Sequence, residues 1–437
     1  MKRSLILALL VGLLVAMLAP RSLAADLRGH GGPVRALSVT ADGRGALSGS
    51  FDSTAILWSL ETASARQVFR FHAGSVNAAI FLPDLPSEAA RFATAGDDGR
   101  IAIWAAGSAV PLRVLEGHEG PIVALALAPD GSHLGSAAWD GSARVWPLDG
   151  KSAPRVLQGH QGNVNGIGFL ARGEVATIGY DGTLRIWPAS GAARVTTFDT
   201  PLNALAIVGD ATLAVGGGDG RLRLVSTSDG SVADEVEIAP TPISAIAVSG
   251  DGRTIAASGL RGVVQILDGR TLKPLRALVG PGMPVWSLAF VPGTPELLTG
   301  GNDHVVRRWD ARTGAHLGNT ILLAETDPLA PYGDDPGAAV YRACVACHTL
   351  QPGDGTRAGP TLHGIMGRRI ASLPDYDYSP AFAGHDIVWT KETIARLFEI
   401  GPHAYTPGTK MPEQTILRAE SREALVDFLE RATAEKK

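Results

Sequence analysis

Tryptophan recurs in this chain at a nearly constant spacing, and that spacing limits the fold more than any other feature. Trp58, Trp104, Trp146 and Trp187 are separated by 46, 42 and 41 residues. Trp309 lies in the same frame, with Val225 and Leu267 at the two places between. His30, His72, His118 and His160 lead the first four units, and an Asp stands six residues before six of the seven markers: Asp52, Asp98, Asp140, Asp181, Asp219 and Asp303. Between the markers apolar and polar residues alternate in short runs such as Val34-Arg35-Ala36-Leu37-Ser38-Val39. Asp-Gly pairs separate the runs, at Asp98-Gly99, Asp140-Gly141, Asp181-Gly182 and Asp219-Gly220. Period-two alternation makes half-buried strands, and Asp-Gly supplies the left-handed backbone of tight hairpin turns. One unit of this length holds four such strands but cannot bury its own faces, whereas units stacked around an axis can. The spacing predicts a β-propeller.

Composition sets the outer bounds. A chain of 437 residues is too long for one ordinary core. Gly (53) and Pro (28) are abundant, yet 45% of the residues are apolar, which is a folded and turn-rich balance. A net charge of −4 argues against nucleic acid or an anionic membrane surface as partner. At the start, Met1-Lys2-Arg3 precedes an apolar run from Leu5 to Leu18, and Ser22-Leu23-Ala24 follows with small residues where a signal peptidase reads. The expectation is a signal peptide over residues 1–24 and a bacterial, exported, periplasmic protein. The apolar run is shorter than the ~20 residues of a spanning helix, so no membrane span is expected in the mature form.

After Thr320 the pattern changes. Residues 321–335, rich in Pro, Gly and Asp, read as a linker, and from Pro336 the periodicity is helical. Thr390 is placed to cap a helix over 391–400, and Ser421 one over 422–432, with Leu425, Phe428 and Leu429 on one face. The expected division is therefore 25–320, a linker over 321–335, and 336–437. Inside the last segment stands Cys344-Val345-Ala346-Cys347-His348, which holds the only two cysteines of the chain. C-x-x-C-H is the attachment signature of a c-type haem, in which each thiol adds to one vinyl group. A zinc site or a thioredoxin-like redox pair competes on five residues alone. Zinc asks for four ligands and there is no second cysteine pair; the redox pair asks for a βαβ setting. With both cysteines in this motif, no disulfide is expected.

Two family resemblances follow from these residues. Residues 27 to about 315 resemble a seven-bladed WD-repeat propeller. That family's structural tetrad of His, Ser/Thr, Asp and Trp maps onto His30, Ser48, Asp52 and Trp58. It recurs as His72, Thr94, Asp98, Trp104, then His118, Ser136, Asp140, Trp146, then His160, Thr177, Asp181, Trp187. The last unit keeps Thr299, Asp303 and Trp309 without the His, and units five and six keep little. Residues 336 to 434 resemble a class I, mitochondrial-like c-type cytochrome. The matching segments are Gly337 to Tyr341, Ala358-Gly359-Pro360-Thr361-Leu362-His363-Gly364, Gly367-Arg368, Tyr376-Asp377-Tyr378-Ser379, Trp389, and Pro407-Gly408-Thr409-Lys410-Met411. The fold implied is an all-β seven-bladed propeller followed by a small all-α cytochrome c domain.

The second resemblance also implies roles. One covalent haem c would be held by Cys344 and Cys347, with His348 and Met411 as its two metal ligands. The Pro360 carbonyl would orient His348, and Arg368, Tyr378, Trp389 and Thr409 would meet the propionates. Met366 reads as a packing residue. Family members ring the haem edge with lysines; here Ala343, His403 and Ala404 stand at such places, Lys410 remains, and the domain carries slightly more carboxylates than cations. In the propeller family, two positions per blade commonly meet partners. They hold Arg35, Asn77, Asn165, Asn203 and Trp286, and Phe51, Asp97, Trp139, Tyr180 and Asn302. Arg35, Phe51, Trp139, Tyr180 and Trp286 are the candidate docking residues, with local packing as the competing explanation. The expected function is an electron carrier, with no catalytic residue, whose propeller docks a periplasmic or membrane-bound redox protein. The alternative is a propeller-based oxidoreductase whose cytochrome accepts electrons from a second, non-covalent site. Two segments compete to close the last blade: Asp26-Leu27-Arg28 and Ala315-His316-Leu317.

Overall fold

The computed structural model describes residues 25–83, 90–280, 282–318, 329–342, 344–345, 347–351, 357–374, 376, 378, 380–382, 384–409, 411 and 414–434. The amino-terminal run read as a signal peptide, most of the linker, and Ala343, Asp377, Ser379 and Lys410 lie outside them. Seven four-stranded antiparallel sheets follow one another along residues 27–310. Blade 1 spans residues 34–69, blade 2 76–115, blade 3 122–158, blade 4 164–197, blade 5 202–237 and blade 6 243–279. In blade 7, three strands between residues 285 and 310 are completed by the strand Leu27–Arg28 from the other end of the ring. The fold is thus an all-β seven-bladed propeller followed by a small, mainly helical domain.

Both candidate closing segments take part, one after the other along the same edge. Leu27 and Arg28 pair with Val306 and Val305. His316 bridges Trp309, and the Leu317 N–H donates to the Arg308 carbonyl at 2.7 Å. Asp26 sits where the two meet: its carboxylate accepts from the Arg308 N–H at 3.3 Å and from His316 Nε2 at 2.9 Å, with Arg307 close by. The strand Val305–Asp310 is longer than either segment could cover, so the ring closes on chain from both ends.

The tetrads form as complete hydrogen-bond chains in blades 1–4. In blade 3 the Trp146 indole N–H donates to Ser136 Oγ at 2.8 Å. Asp140 can only accept, so His118 carries its proton on Nδ1, 2.7 Å away, and burial lowers the ring's pKa, so its neutral Nε2 accepts from Ser136 Oγ, also at 2.8 Å. Blade 1 repeats this with Trp58, Ser48, His30 and Asp52, blade 2 with Trp104, Thr94, His72 and Asp98, and blade 4 with Trp187, Thr177, His160 and Asp181. In blades 5 and 7, which lack the His but keep the Asp, a guanidinium four residues after the Asp binds the carboxylate. Arg223 binds Asp219 in blade 5, and Arg307 binds Asp303 in blade 7. Apolar packing joins neighbouring blades: Val34 and Trp58 of blade 1 share one buried cluster with Leu298 and Val306 of blade 7.

In the helical domain, α1 (Pro336–Tyr341) is capped by Asp335, whose side chain accepts from the Gly337 and Ala338 N–H groups. Helix α2 (Lys391–Ile400) begins at a capping box between Thr390 and Thr393. A short α3 (Pro402–Tyr405) leads toward α4 (Ala419–Ala432). This last helix starts three residues before the start expected from Ser421. Ala419 and Glu420 continue the helix readily, and the Arg422 guanidinium reaches back to the Ile416 and Leu417 carbonyls, so a side-chain cap at Ser421 is not needed. Leu425, Phe428 and Leu429 are buried, and Tyr341 packs on Phe428 with ring centroids 5.5 Å apart. A Cβ on Gly337 would lie 2.0 Å from the Ala424 carbonyl oxygen, so α1 and α4 cross this closely only because that residue is glycine. Met366 packs against the same core.

Candidate cofactor site

The chain turns immediately after α1. Cys344 N–H bonds the Tyr341 carbonyl at 2.7 Å, and the N–H groups of Cys347 and His348 both bond the Cys344 carbonyl, at 3.1 and 2.9 Å. This tight turn brings both sulfurs and the imidazole to one cavity. Cys344, Cys347, His348, Pro360, Arg368, Tyr378, Trp389, Thr409 and Met411 all line it, within a mostly apolar wall that includes Ile365, Leu397 and Leu425. These nine side chains, spread over 68 residues of sequence, are the candidate haem-site residues named above, and the fold gathers all of them.

His348 is held by its Nδ1, 2.8 Å from the Pro360 carbonyl oxygen. A carbonyl can only accept, so Nδ1 carries the proton and Nε2 keeps its lone pair. Burial lowers the His348 pKa, and the bond to Pro360 opposes that only in part, so the ring is neutral. A neutral imidazole with one nitrogen fixed and the other basic is the donor a metal asks for. The neighbouring residue has to be small: a Cβ on Gly359 would lie 2.5 Å from His348 Cε1. Burial pushes both Cys344 and Cys347 up to about 12, so as thiols they stay protonated in this apolar setting. The Arg368 guanidinium donates to the His363 and Thr361 carbonyls at 2.9 and 2.8 Å, and burial lowers its pKa.

Three residues on this cavity come from the propeller: Asp52, Thr54 and Arg70. Sequence reading gave Asp52 a role in the blade 1 tetrad and gave Thr54 and Arg70 none. The one signal for Arg70 in the sequence is a charge that directly follows the outer strand of its blade. Contact between the two parts is direct. The Ala358 N–H donates to the Gly29 carbonyl at 3.0 Å, and Arg70 donates to the carbonyls of Arg357 and Ala358 at 2.8–3.1 Å.

The docking candidates are arranged differently. Phe51 (45%), Trp139 (44%) and Tyr180 (62%) are exposed, whereas Trp286 is partly buried. The Arg35 guanidinium lies 5.1 Å from the centre of the Trp286 ring, whose N–H donates to Asn302 at 2.6 Å. Asn77 and Asn165 turn out to stitch blades together, donating to the Ile122 and Leu202 carbonyls of the next blade. Asn165 also accepts from the Trp139 indole N–H at 3.1 Å.

The model of the WD domain, G-beta repeat, matches residues 21–59, 109–147, 152–188 and 272–310. Among curated proteins, the chain is similar to cytochrome c type-1 of Ascaris suum, 40% identical over 105 residues, which is 24% of this chain and 92% of the relative. It is similar to cytochrome c 2.1 of Caenorhabditis elegans at 39% over 102 residues (23% and 90%) and to a cytochrome c of Arabidopsis thaliana at 38% over 98 residues (22% and 87%). These and the other named relatives come from nematodes, a fungus and plants. They contradict the expected bacterial periplasmic location. That expectation rested on an apolar amino-terminal run and an attachment motif, neither of which carries the chemistry of one lineage. Through its C-terminal domain, placed behind a WD-repeat propeller, the chain belongs to the cytochrome c family.

Proposed function

We propose that this chain carries one electron at a time on a single covalent haem c and that it is an electron-transfer protein, not an enzyme. The observation that supports this most is the neutral, carbonyl-held His348 in a cavity that also holds Cys344, Cys347 and Met411. Cys344 and Cys347 would hold the group through two thioethers, and His348 and Met411 would be its metal ligands. Haem bound in this way supplies a one-electron Fe(III)/Fe(II) couple, with the methionine thioether favouring the reduced state. The rest is done by the chain. Pro360 keeps the His348 ring in one tautomer, and Ile365, Leu397 and Leu425 keep water away. Arg368, Tyr378, Trp389 and Thr409 supply the polar rim suited to propionates. With both His348 and Met411 holding the iron, no ligand position would be left for a substrate.

The proposed division is a propeller over 25–320, a linker over 321–335 and the cytochrome domain over 336–437. The face bearing Arg35, Phe51, Trp139, Tyr180 and Trp286 is proposed to dock a redox protein, because exposed aromatic side chains anchor interfaces. The assignment is tested on the purified full-length chain. Extraction with acidified acetone should leave the haem on the protein, and a Cys344→Ser, Cys347→Ser variant should release it. Met411→Ala should keep the covalent haem, lower its potential and let added imidazole bind. Complete extraction from the unaltered protein would overturn the assignment.

A further inference from the structure

On the reading that this cavity holds haem, we propose that the propeller is part of the haem site, with Arg70 as a positioning residue for His348. The connection is short. Arg70 Nε and a terminal nitrogen reach the Ala358 carbonyl at 3.1 and 2.9 Å, and the terminal nitrogen also reaches the Arg357 carbonyl at 2.8 Å. The guanidinium lies 4.1 Å from the centre of the Tyr376 ring, and the Tyr376 hydroxyl donates to the same Ala358 carbonyl at 2.6 Å. The Ala358 N–H is tied to Gly29. Both backbone groups of Ala358 are therefore held from the propeller side. Gly359 N–H binds the Cys347 carbonyl at 2.8 Å, and the Pro360 carbonyl holds His348 Nδ1. A single residue, Gly359, thus separates the propeller's grip on Ala358 from the Pro360 carbonyl that orients the imidazole.

The fit around this grip is close. A Cβ on Gly31 would come 1.8 Å from Cys347 Sγ, and Asp52 and Thr54 continue the cavity wall beside it. Arginine suits the task because its planar fork serves two carbonyls while its face covers an aromatic ring, which an ammonium cannot reproduce. Groups that orient a metal-bound histidine change metal-centre properties by about 10–100-fold when removed.

The test uses full-length protein carrying its haem, with Arg70→Ala, Arg70→Lys and Gly31→Ala variants. Far-UV circular dichroism establishes that each propeller folds. Arg70→Ala should lower the midpoint potential, change the Soret circular dichroism and raise the affinity for imidazole about tenfold, through a His348–Met411 pair held less firmly. Arg70→Lys keeps the charge but loses the fork, so it should behave like Arg70→Ala. Gly31→Ala should push the domains apart and give the same three changes by a second route. Full recovery in Arg70→Lys would overturn positioning in favour of a plain charge effect. Unaltered potential, Soret signal and imidazole affinity in Arg70→Ala and Gly31→Ala would overturn the proposal while leaving the haem assignment intact. Failure of the assignment itself would appear as haem lost from the unaltered protein.

Discussion

The blade 3 tetrad is a one-way chain of hydrogen bonds, and its direction follows from the groups that have a single role. Asp140 can only accept, so His118 carries its proton on Nδ1; burial lowers the ring's pKa, so Nε2 accepts from Ser136, which in turn accepts from the Trp146 N–H. Ser136→Ala would leave the buried Trp146 N–H and His118 Nε2 unpaired. The expected loss is about 1–3 kcal/mol for each group left unsatisfied, read from urea unfolding followed by tryptophan fluorescence. The tetrads also set a pH dependence. Burial lowers the pKa of His118 and His160 against the opposing pull of Asp140 and Asp181. Burial would raise the Asp181 carboxyl, but bonds from the Gln161 N–H, His160 and Thr183 outweigh it and hold it at about 2. In both cases the unfolded chain binds protons more readily than the folded one. The histidine contribution is whole above an unfolded pKa of about 6.5 and declines below it. The aspartate contribution is whole above about 3.9 and is lost toward the folded value. The melting temperature of the propeller should therefore fall steadily as pH drops below about 6.5, with no gain from acid at any step.

At the scale of elements, the strands needed little beyond local sequence. Alternation and tight turns place the strands, and six of the seven sheets form from four consecutive strands, the seventh taking its fourth strand from the start of the ring. Helix α2 starts at Thr390, where its cap was legible, whereas α4 starts before Ser421 because contacts from Arg422 anchor its first turn. The crossing of α1 and α4 rests on Gly337. Gly337→Ala should overpack this contact and destabilise the helical domain by about 1–3 kcal/mol, despite the better helix propensity of alanine. Thermal melting followed at the haem absorbance should show the loss, while the propeller transition, followed by far-UV circular dichroism, should stay in place.

At the scale of the whole molecule, two sets of contacts tie distant parts of the chain together. Asp26 joins the two ends of the propeller, and Gly29, Gly31 and Arg70 hold the helical domain a few residues further on. Closure and docking are thus neighbours in sequence. The exposed aromatics Phe51, Trp139 and Tyr180 lie outside this contact network and are available to a partner.

The sequence alone determined the repeat, the tetrads of blades 1–4 and the Cys344–His348 motif, each written in local spacing: a strand period of two, a turn dipeptide, a five-residue attachment motif. Family resemblance added the other six haem-site candidates, and the fold added Asp52, Thr54 and Arg70 to the same cavity. Val225 and Leu267 could replace tryptophan because a buried apolar side chain at that register suffices. Only the tertiary structure decided three other matters. It showed that Arg223 and Arg307 bind the turn Asp directly where no His is present, although an Arg at the same spacing also follows Asp140 and Asp181 in blades that keep their His, so the spacing alone does not reveal the pairing. It showed that the two candidate closing segments share the last strand, Leu27–Arg28 pairing with it across about 280 residues and His316 bridging back to Trp309, where the sequence could only set the two in competition. And it set Arg70 against Ala358, because a surface charge and a backbone carbonyl 288 residues apart become partners only when two separately encoded folds meet.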